Sequence, residues 1–244
     1  MRPQLLRPTR RYRWTVTALG CDSAFRDDDG SADPAAAAAL AAFGAGKGSE
    51  HAALTALAGS RLLVPLLAAA SSGERVSEMS VPTLIGRDGR PAIPAFTCLD
   101  ALARWRPAAR PVPTEAGRLW SAAITDSCAV VVDIAGPVPV AVDGTRLAAL
   151  AGGQPVPLPH EDPEVAAAVR AAAAGEPAII GVALAPGEDG SDLAVQVTLA
   201  AGCGRPAGDE AVRVLGGTLM TELGGRLRRG IAISAARAAV HQGG

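Results

Sequence analysis

The pattern of apolar and polar residues is sharpest over Met79–Trp105, where it predicts a strand, a tight turn, a second strand and a helix. Asp88-Gly89 separates two apolar runs, which favours a β-hairpin because glycine accepts the positive φ of such turns. Thr97 stands where a helix N-cap belongs, and Asp100 follows three residues later as a weak capping box. We expect tertiary contacts from the rest of the chain to collect on this unit.

Apolar runs elsewhere predict further strands and helices. Continuous runs at Arg61–Ala68 and Ala129–Ile134 are typical of strands buried on both faces. Pro65, Pro82 and Pro94 cannot donate to a ladder, so these prolines predict partly open strand edges. The other predicted strands are Val138–Val142, Ala178–Leu184, Leu193–Leu199 and Gly230–Ala235. The other predicted helices are Pro34–Phe43, Glu50–Ala58, one starting at Pro113, Thr145–Ala151, one from Asp162 to Gly175, and one over about Asp209–Leu223. Three of these helices have an aspartate at the predicted N-cap, namely Asp33, Asp143 and Asp162.

These elements predict an α+β protein with two modules. We expect a larger N-terminal mixed-sheet domain with flanking helices at 24–153 and a smaller C-terminal α+β domain at 162–240. Between them, the proline-rich stretch 154–161 is typical of an extended linker. Residues 1–23 carry five arginines and are interpreted as a disordered basic arm or a spurious extension from an upstream start codon.

The charge and the apolar content of the sequence limit the classes of partner that the protein can bind. The 244 residues carry a net charge of −1, which gives no electrostatic case for nucleic acid or an anionic membrane. The longest apolar runs are shorter than the roughly 18 residues that a membrane span needs. The composition is rich in alanine and favours arginine over lysine, which fits a high-GC bacterial genome. We expect no membrane partner, and the charge balance does not favour nucleic acid.

The cysteines indicate a reducing compartment. Cys21, Cys98, Cys128 and Cys203 are widely scattered and form no C-x-x-C pair. Zinc and iron–sulfur sites use thiolates at fixed, close spacing, so the pattern argues against both. Reduced, buried thiols are the simplest interpretation, and they predict a cytoplasmic protein.

The sequence contains no recognisable catalytic or cofactor motif. No serine lies in a G-x-S-x-G elbow, and His51, His160 and His241 show no metal-ligand spacing. Residues 44–49 superficially resemble a P-loop, but Lys47 is followed by glycine and no buried strand precedes the segment. We therefore predict no catalytic, metal-binding or cofactor-binding residues, and favour a non-enzymatic function.

Arginines at two places are candidates for partner contacts. Arg87, Asp88 and Arg90 lie at the predicted hairpin turn, and arginines on a projecting loop are suited to binding a partner. They are equally compatible with an ordinary solvated hairpin tip. The cluster Arg226–Arg229 follows a predicted helix, where its charges either stabilise the helix dipole or meet an acidic partner or phosphate.

Two stretches, Phe25–Leu40 and Arg61–Trp105, resemble the SseB-like proteins of actinobacteria, including the N-terminal domain of that family. The resemblance extends well over residues 25–160, and residues 162–240 resemble the less distinctive C-terminal half. It implies no catalytic residue, but the family name, enhanced serine sensitivity, puts amino acids first among candidate ligands. The matching motifs are Val64-Pro65, Val81-Pro82-Thr83-Leu84, Asp88-Gly89-Arg90, Pro94-Ala95-Phe96-Thr97 and Trp105.

Two functions from different classes are the main hypotheses, and nucleic-acid association through the arginines of residues 1–23 is a third. The leading hypothesis is an accessory or binding module that acts through protein–protein contacts, with an unidentified protein partner or with a second copy of itself. The alternative is a small-molecule binding protein or enzyme whose interdomain site takes an amino acid or a nucleotide, since pockets often form between domains.

Overall fold

The computed structural model describes residues 25–68 and 79–239, which form helices and three β-sheets of the α+β class. The basic arm expected for residues 1–23 lies outside the described residues. The helices are α1 (Pro34–Gly44), α2 (Glu50–Ala58), α3 (Leu99–Trp105), α4 (Ala116–Thr125), α5 (Gly144–Ala151), α6 (Pro163–Ala174) and α7 (Arg205–Leu223). The strands are β1 (Arg61–Ala68), β2 (Met79–Ser80), β3 (Leu84–Ile85), β4 (Pro91–Ala95), β5 (Arg110–Glu115), β6 (Ala129–Val132), β7 (Val140–Val142), β8 (Ile179–Pro186), β9 (Leu193–Leu199) and β10 (Ile231–Arg237).

The described residues divide into two compact units. The first contains residues 25–41, 53–68 and 79–156, and the second contains residues 42–52 and 157–239. The sequence pattern did not predict that the short segment 42–52 groups with the second unit. Within the described ranges, no helix is both long enough and apolar enough to cross a membrane.

A four-stranded sheet in the first unit has the order β3-β4-β6-β7. β3 and β4 form the predicted antiparallel hairpin, with Leu84 opposite Ala92 and Ile85 opposite Pro91. β4 is parallel to β6, and β6 is antiparallel to β7. The predicted strand before the hairpin is interrupted at residues 81–83, because β2 pairs with β1 in another sheet. Pro82, which has no backbone N–H, lies in this interruption.

The second sheet of this unit has the order β2-β1-β5, all antiparallel. Leu63 in β1 exchanges two backbone hydrogen bonds with Phe96, of 2.7 and 2.9 Å, so its polar groups point away from β5. Pro113 lies opposite Leu63 in β5, and its nitrogen therefore points to the open edge, where no donor is needed. The predicted helix start at Pro113 is wrong: residues 110–115 form an edge strand, and the helix begins at Ala116.

The second unit contains the predicted order of helix, two strands, helix and strand. Its sheet has the order β10-β9-β8, with β10 parallel and β8 antiparallel to β9. Alternate residues of β9 are buried in one cluster with the apolar faces of α6 and α7. α7 begins at Arg205, earlier than predicted, because a proline fits its first turn without losing a hydrogen bond. The members of this cluster with no exposed surface are Val165, Val169, Leu193, Val195, Leu215 and Leu219.

Side-chain caps fix two of the helix starts at their predicted positions. Asp33 Oδ1 accepts a hydrogen bond from the Ala36 N–H at 2.9 Å, at the start of α1. Asp162 Oδ1 accepts from the Glu164 N–H at 2.9 Å, at the start of α6. Each carboxylate satisfies a backbone donor that the first turn leaves unpaired, as the sequence pattern predicted.

Candidate partner-binding surface

The β3–β4 hairpin closes with a turn that needs glycine. The Gly86 N–H donates to the Arg90 carbonyl at 2.8 Å, and the Gly89 N–H donates to the Gly86 carbonyl at 3.0 Å. Gly89 has a φ of 79°, in the left-handed region that side-chain-bearing residues rarely adopt. The turn therefore has the geometry expected from the Asp-Gly pair.

Two carboxylates hold the Arg90 guanidinium at this turn. Arg90 Nε lies 2.5 Å from Asp88 Oδ2, and Arg90 Nη1 lies 2.9 Å from Asp143 Oδ2. The Arg90 and Asp88 side chains remain 64% and 49% exposed. Hydrogen bonds from Arg90 lower the pKa of the Asp88 carboxyl, and Asp88 and Asp143 raise the pKa of Arg90. The pair is therefore charged and ordered while still accessible to solvent.

Asp143 connects the hairpin to the start of α5. Because β4 and β6 are parallel and β7 is antiparallel to β6, the start of β4 and the end of β7 meet at the same end of the sheet. Asp143 follows β7 there and pairs with the buried Arg146, which also donates to the Ala141 carbonyl at 3.4 Å. Asp143 occupies the N-cap position of α5, as predicted, but its side chain makes no cap hydrogen bond.

Arg87 completes this surface, which we call the hairpin end and define as Arg87, Asp88, Arg90 and Asp143. The Arg87 side chain is exposed and makes no ion pair with the described residues. The structure thus brings together all three residues predicted for partner contacts and adds Asp143. No signal in the sequence pointed to Asp143, because only the strand order places it beside Arg90.

The opposite end of this sheet holds a buried acid. Asp133 follows β6, and its two carboxylate oxygens accept hydrogen bonds from the Thr97 N–H at 2.9 Å and the Thr97 hydroxyl at 2.7 Å. Thr97 is therefore not the N-cap of α3, and that prediction is wrong. Cys98 is the N-cap, with its sulfur accepting from the Ala101 N–H at 3.4 Å.

Asp133 has several features that are common at functional sites. It lies at the carboxyl ends of two parallel strands, its φ is 50°, and burial raises the pKa of its carboxyl. However, both carboxylate oxygens are occupied by Thr97, and its own N–H donates to the Ala95 carbonyl at 2.9 Å. These bonds fasten the start of α3 to the end of β6, which is a structural role.

The arginines after α7 also have structural partners. Arg226 lies 3.1 Å from Glu50 Oε2 and 2.6 Å from Asp162 Oδ2. The Arg229 Nε lies 2.7 Å from Asp192 Oδ1, and Asp192 is almost completely buried. The cluster therefore anchors the segment after α7 to carboxylates of its own unit.

The glycine-rich segment after α1 does not have the open amide groups of a phosphate loop. The N–H groups of Gly46, Lys47 and Gly48 donate to the carbonyls of Phe43 and Ala42 at 2.9–3.0 Å. These bonds satisfy carbonyls at the end of α1, in the manner of a helix C-cap. Among the described residues, no group of three or more His, Cys, Asp or Glu side chains is arranged to hold a metal ion.

Comparison with known proteins gives one match. Residues 37–149 match the model of the SseB protein N-terminal domain. The matched range contains the complete four-stranded sheet and every residue of the hairpin end. No curated protein and no solved structure matches the chain.

Proposed function

We propose that this chain, which belongs to the SseB family, is a non-enzymatic binding module that engages an acidic segment of a partner protein at its hairpin end. The observation that carries the proposal is the exposed guanidinium of Arg90, held by Asp88 and Asp143, at the same turn as the exposed Arg87. This arrangement combines accessible positive charge with a fixed geometry.

The Arg90 side chain is already held in place in the free protein, and this favours binding of a partner. An arginine side chain that is already held in place loses less conformational entropy when a partner carboxylate arrives. Arg90 uses Nε and Nη1 in its ion pairs, and a guanidinium has further N–H donors for a partner.

The four residues of the hairpin end carry two positive and two negative charges, and Arg146, which shares Asp143, leaves one positive charge in excess, which favours an acidic partner. Arg90 is already compensated by Asp88 and Asp143, and Asp143 is shared with Arg146. Arg87 therefore supplies the excess positive charge. Exposed charges of this kind contribute mainly to the rate and specificity of association, so the interaction should weaken as salt concentration rises.

The test is quantitative co-purification from lysate of the source cells with the tagged wild-type chain, the double variant Arg87→Ala/Arg90→Ala and the control Arg213→Ala. Arg213 is an exposed arginine on α7 that pairs with Glu210. We expect the double variant to retain about tenfold less of an acidic partner than the wild type, since hot-spot arginines contribute on that scale. The control should retain the wild-type amount.

Equal retention by the wild type and the double variant would contradict the proposal. All three proteins should show the same thermal unfolding midpoint, because exposed ion pairs contribute little to stability. If an amino acid or a nucleotide raises that midpoint while no partner depends on the hairpin end, the small-molecule function replaces this one.

A further inference from the structure

β10 forms an edge of the sheet in the second unit. All seven residues pair with β9 in one unbroken parallel register, from Ile231 opposite Leu193 to Arg237 opposite Leu199. Among the described residues, no strand pairs with the other side of β10. Most residues of this strand from Ala232 onward are exposed.

Two hydrogen bonds at the ends of β10 show which backbone groups point outward. The Gly230 carbonyl accepts from the Asp192 N–H, and the Ala238 N–H donates to the Leu199 carbonyl, both at 2.9 Å. Residues at even positions therefore point their polar groups toward β9, because these groups alternate along a strand. The residues whose N–H and C=O groups point outward are Ile231, Ile233, Ala235 and Arg237.

This edge lacks the usual protection against strand pairing. β8, at the other edge of the same sheet, has an irregular register between Ile179 and Gly181 and ends in Pro186. The edge strand β5 carries Pro111 and Pro113. β10 has no proline, no glycine and no bulge, and such a strand is prone to pair with another.

We propose that β10 pairs in antiparallel fashion with β10 of a second copy of this chain, around a two-fold axis at Ser234. The result is a symmetric dimer with a continuous six-stranded sheet. This inference is independent of the proposed function, which concerns residues of the first unit.

The sequence of β10 is compatible with antiparallel pairing to β10 of a second copy in this register. Pairing centred on Ser234 overlaps all seven residues and places outward-pointing residues opposite one another. Ile233 of one copy then faces Ala235 of the other, and Ile231 faces Arg237. Each such pair exchanges two hydrogen bonds, about eight in total, and no like charges are opposed.

The two-fold axis also places the helix-covered faces of the two sheets on the same side of the continuous sheet. Ile231 and Ile233 share the face that packs against the helices, and both are only partly buried in the free chain. A second β10 would cover more of their surface without interrupting the alternation of faces. The axis uses the same edge in both copies, so the assembly closes at two chains instead of growing into a filament.

The test uses opposite charges at the axis. In this register Ser234 faces Ser234 of the other copy in a pair without hydrogen bonds, in which side chains are closest. We expect the full wild-type chain to have a mass of about twice 24.4 kDa by light scattering. Ser234→Lys and Ser234→Glu should each shift to the monomer mass, because two like charges would be opposed.

Mixing the two variants should restore a dimer that contains one copy of each, measured by native mass spectrometry. The matched control is Ala183→Lys on β8. Ala183 is exposed and lies in the same cross-strand row as Ser234, since both are opposite Gln196. The control should remain a dimer.

Three results would overturn the proposal: a monomeric wild type at all concentrations, a dimeric Ser234→Lys variant, or a mixture that stays monomeric although both variants are folded. Hydrogen exchange provides a readout without substitution. In the dimer the amides of Ile233 and Ala235 should exchange more slowly than on dilution to the monomer, because they would donate hydrogen bonds to the second copy.

Discussion

At the scale of single residues, ionisation of the buried Asp133 carboxyl makes the stability of the folded protein depend on pH. Burial raises the pKa of its carboxyl above the usual 3.8, although Thr97 and Arg104 favour the ionised form. A carboxyl whose pKa is raised on folding binds its proton more tightly in the folded state. The protonated Asp133 carboxyl therefore stabilises the folded protein fully at a pH below its pKa in the unfolded chain. This stabilisation is lost as the pH rises through the pKa of Asp133 in the folded protein.

Asp133→Asn tests this relation. Asparagine keeps an acceptor for the Thr97 N–H, offers a donor to the Thr97 hydroxyl and tolerates the φ of 50°. We expect the free energy of unfolding of the variant to rise relative to the wild type between pH 4 and pH 7, measured by urea titration, because the variant has no buried charge. A difference that does not change with pH, or that favours the wild type more strongly at pH 7, would contradict this account.

Residue-level prediction succeeded where the partners are close in sequence. The Asp33 and Asp162 caps and the Gly89 turn depend on residues two or three positions away. Thr97 was misassigned because its partner, Asp133, is 36 positions away. A threonine before a helix fits a cap equally well from local pattern alone, and only the pairing of β4 with β6 brings the two residues together.

At the scale of elements, the partly buried Arg226 connects separate segments of the second unit. Arg226, after α7, meets Glu50 at the start of α2 and Asp162 at the cap of α6. Arg228 adds to this by placing its guanidinium 4.6 Å from the centre of the Phe43 ring. These contacts account for the grouping of residues 42–52 with the second unit.

Arg226→Met keeps much of the length of the side chain but removes its charge. We expect the free energy of unfolding to fall by about 3–5 kcal/mol, because the buried carboxylates of Glu50 and Asp162 lose this cation. Urea unfolding measures the loss, and Arg213→Ala on the exposed face of α7 is the control. A variant that unfolds at the wild-type urea concentration would contradict a structural role for this cluster.

Most elements followed from the sequence because hydrophobic periodicity and caps are local. The errors occurred at prolines. Pro113 was placed at a helix start, since proline fits that position, but the same residue also fits an edge strand whose nitrogen points to solvent. Pro82 was predicted to leave an edge open, and residues 81–83 instead separate two short strands of different sheets.

At the scale of the whole molecule, the two proposed interactions use different units. The hairpin end lies in the first unit and β10 in the second, so each can be removed by substitution without altering the other. Loss of the dimer with normal partner capture, or the reverse, would identify which proposal fails. The sequence predicted Arg87, Asp88 and Arg90, but the bracing by Asp143 and the open side of β10 depend on strand order.

The most direct test of the hairpin end is zero-length carbodiimide crosslinking with Arg87→Lys. Lys47 is the only lysine in the sequence, so the variant adds one amine while keeping the charge at position 87. The matched control is Arg170→Lys, at an exposed position on α6. In lysate of the source cells, we expect Arg87→Lys to form a covalent adduct, through Lys at 87 and a partner carboxylate, that the wild type and the control lack. Equal adducts in all three proteins, or none with Arg87→Lys, would contradict binding of an acidic segment at this surface.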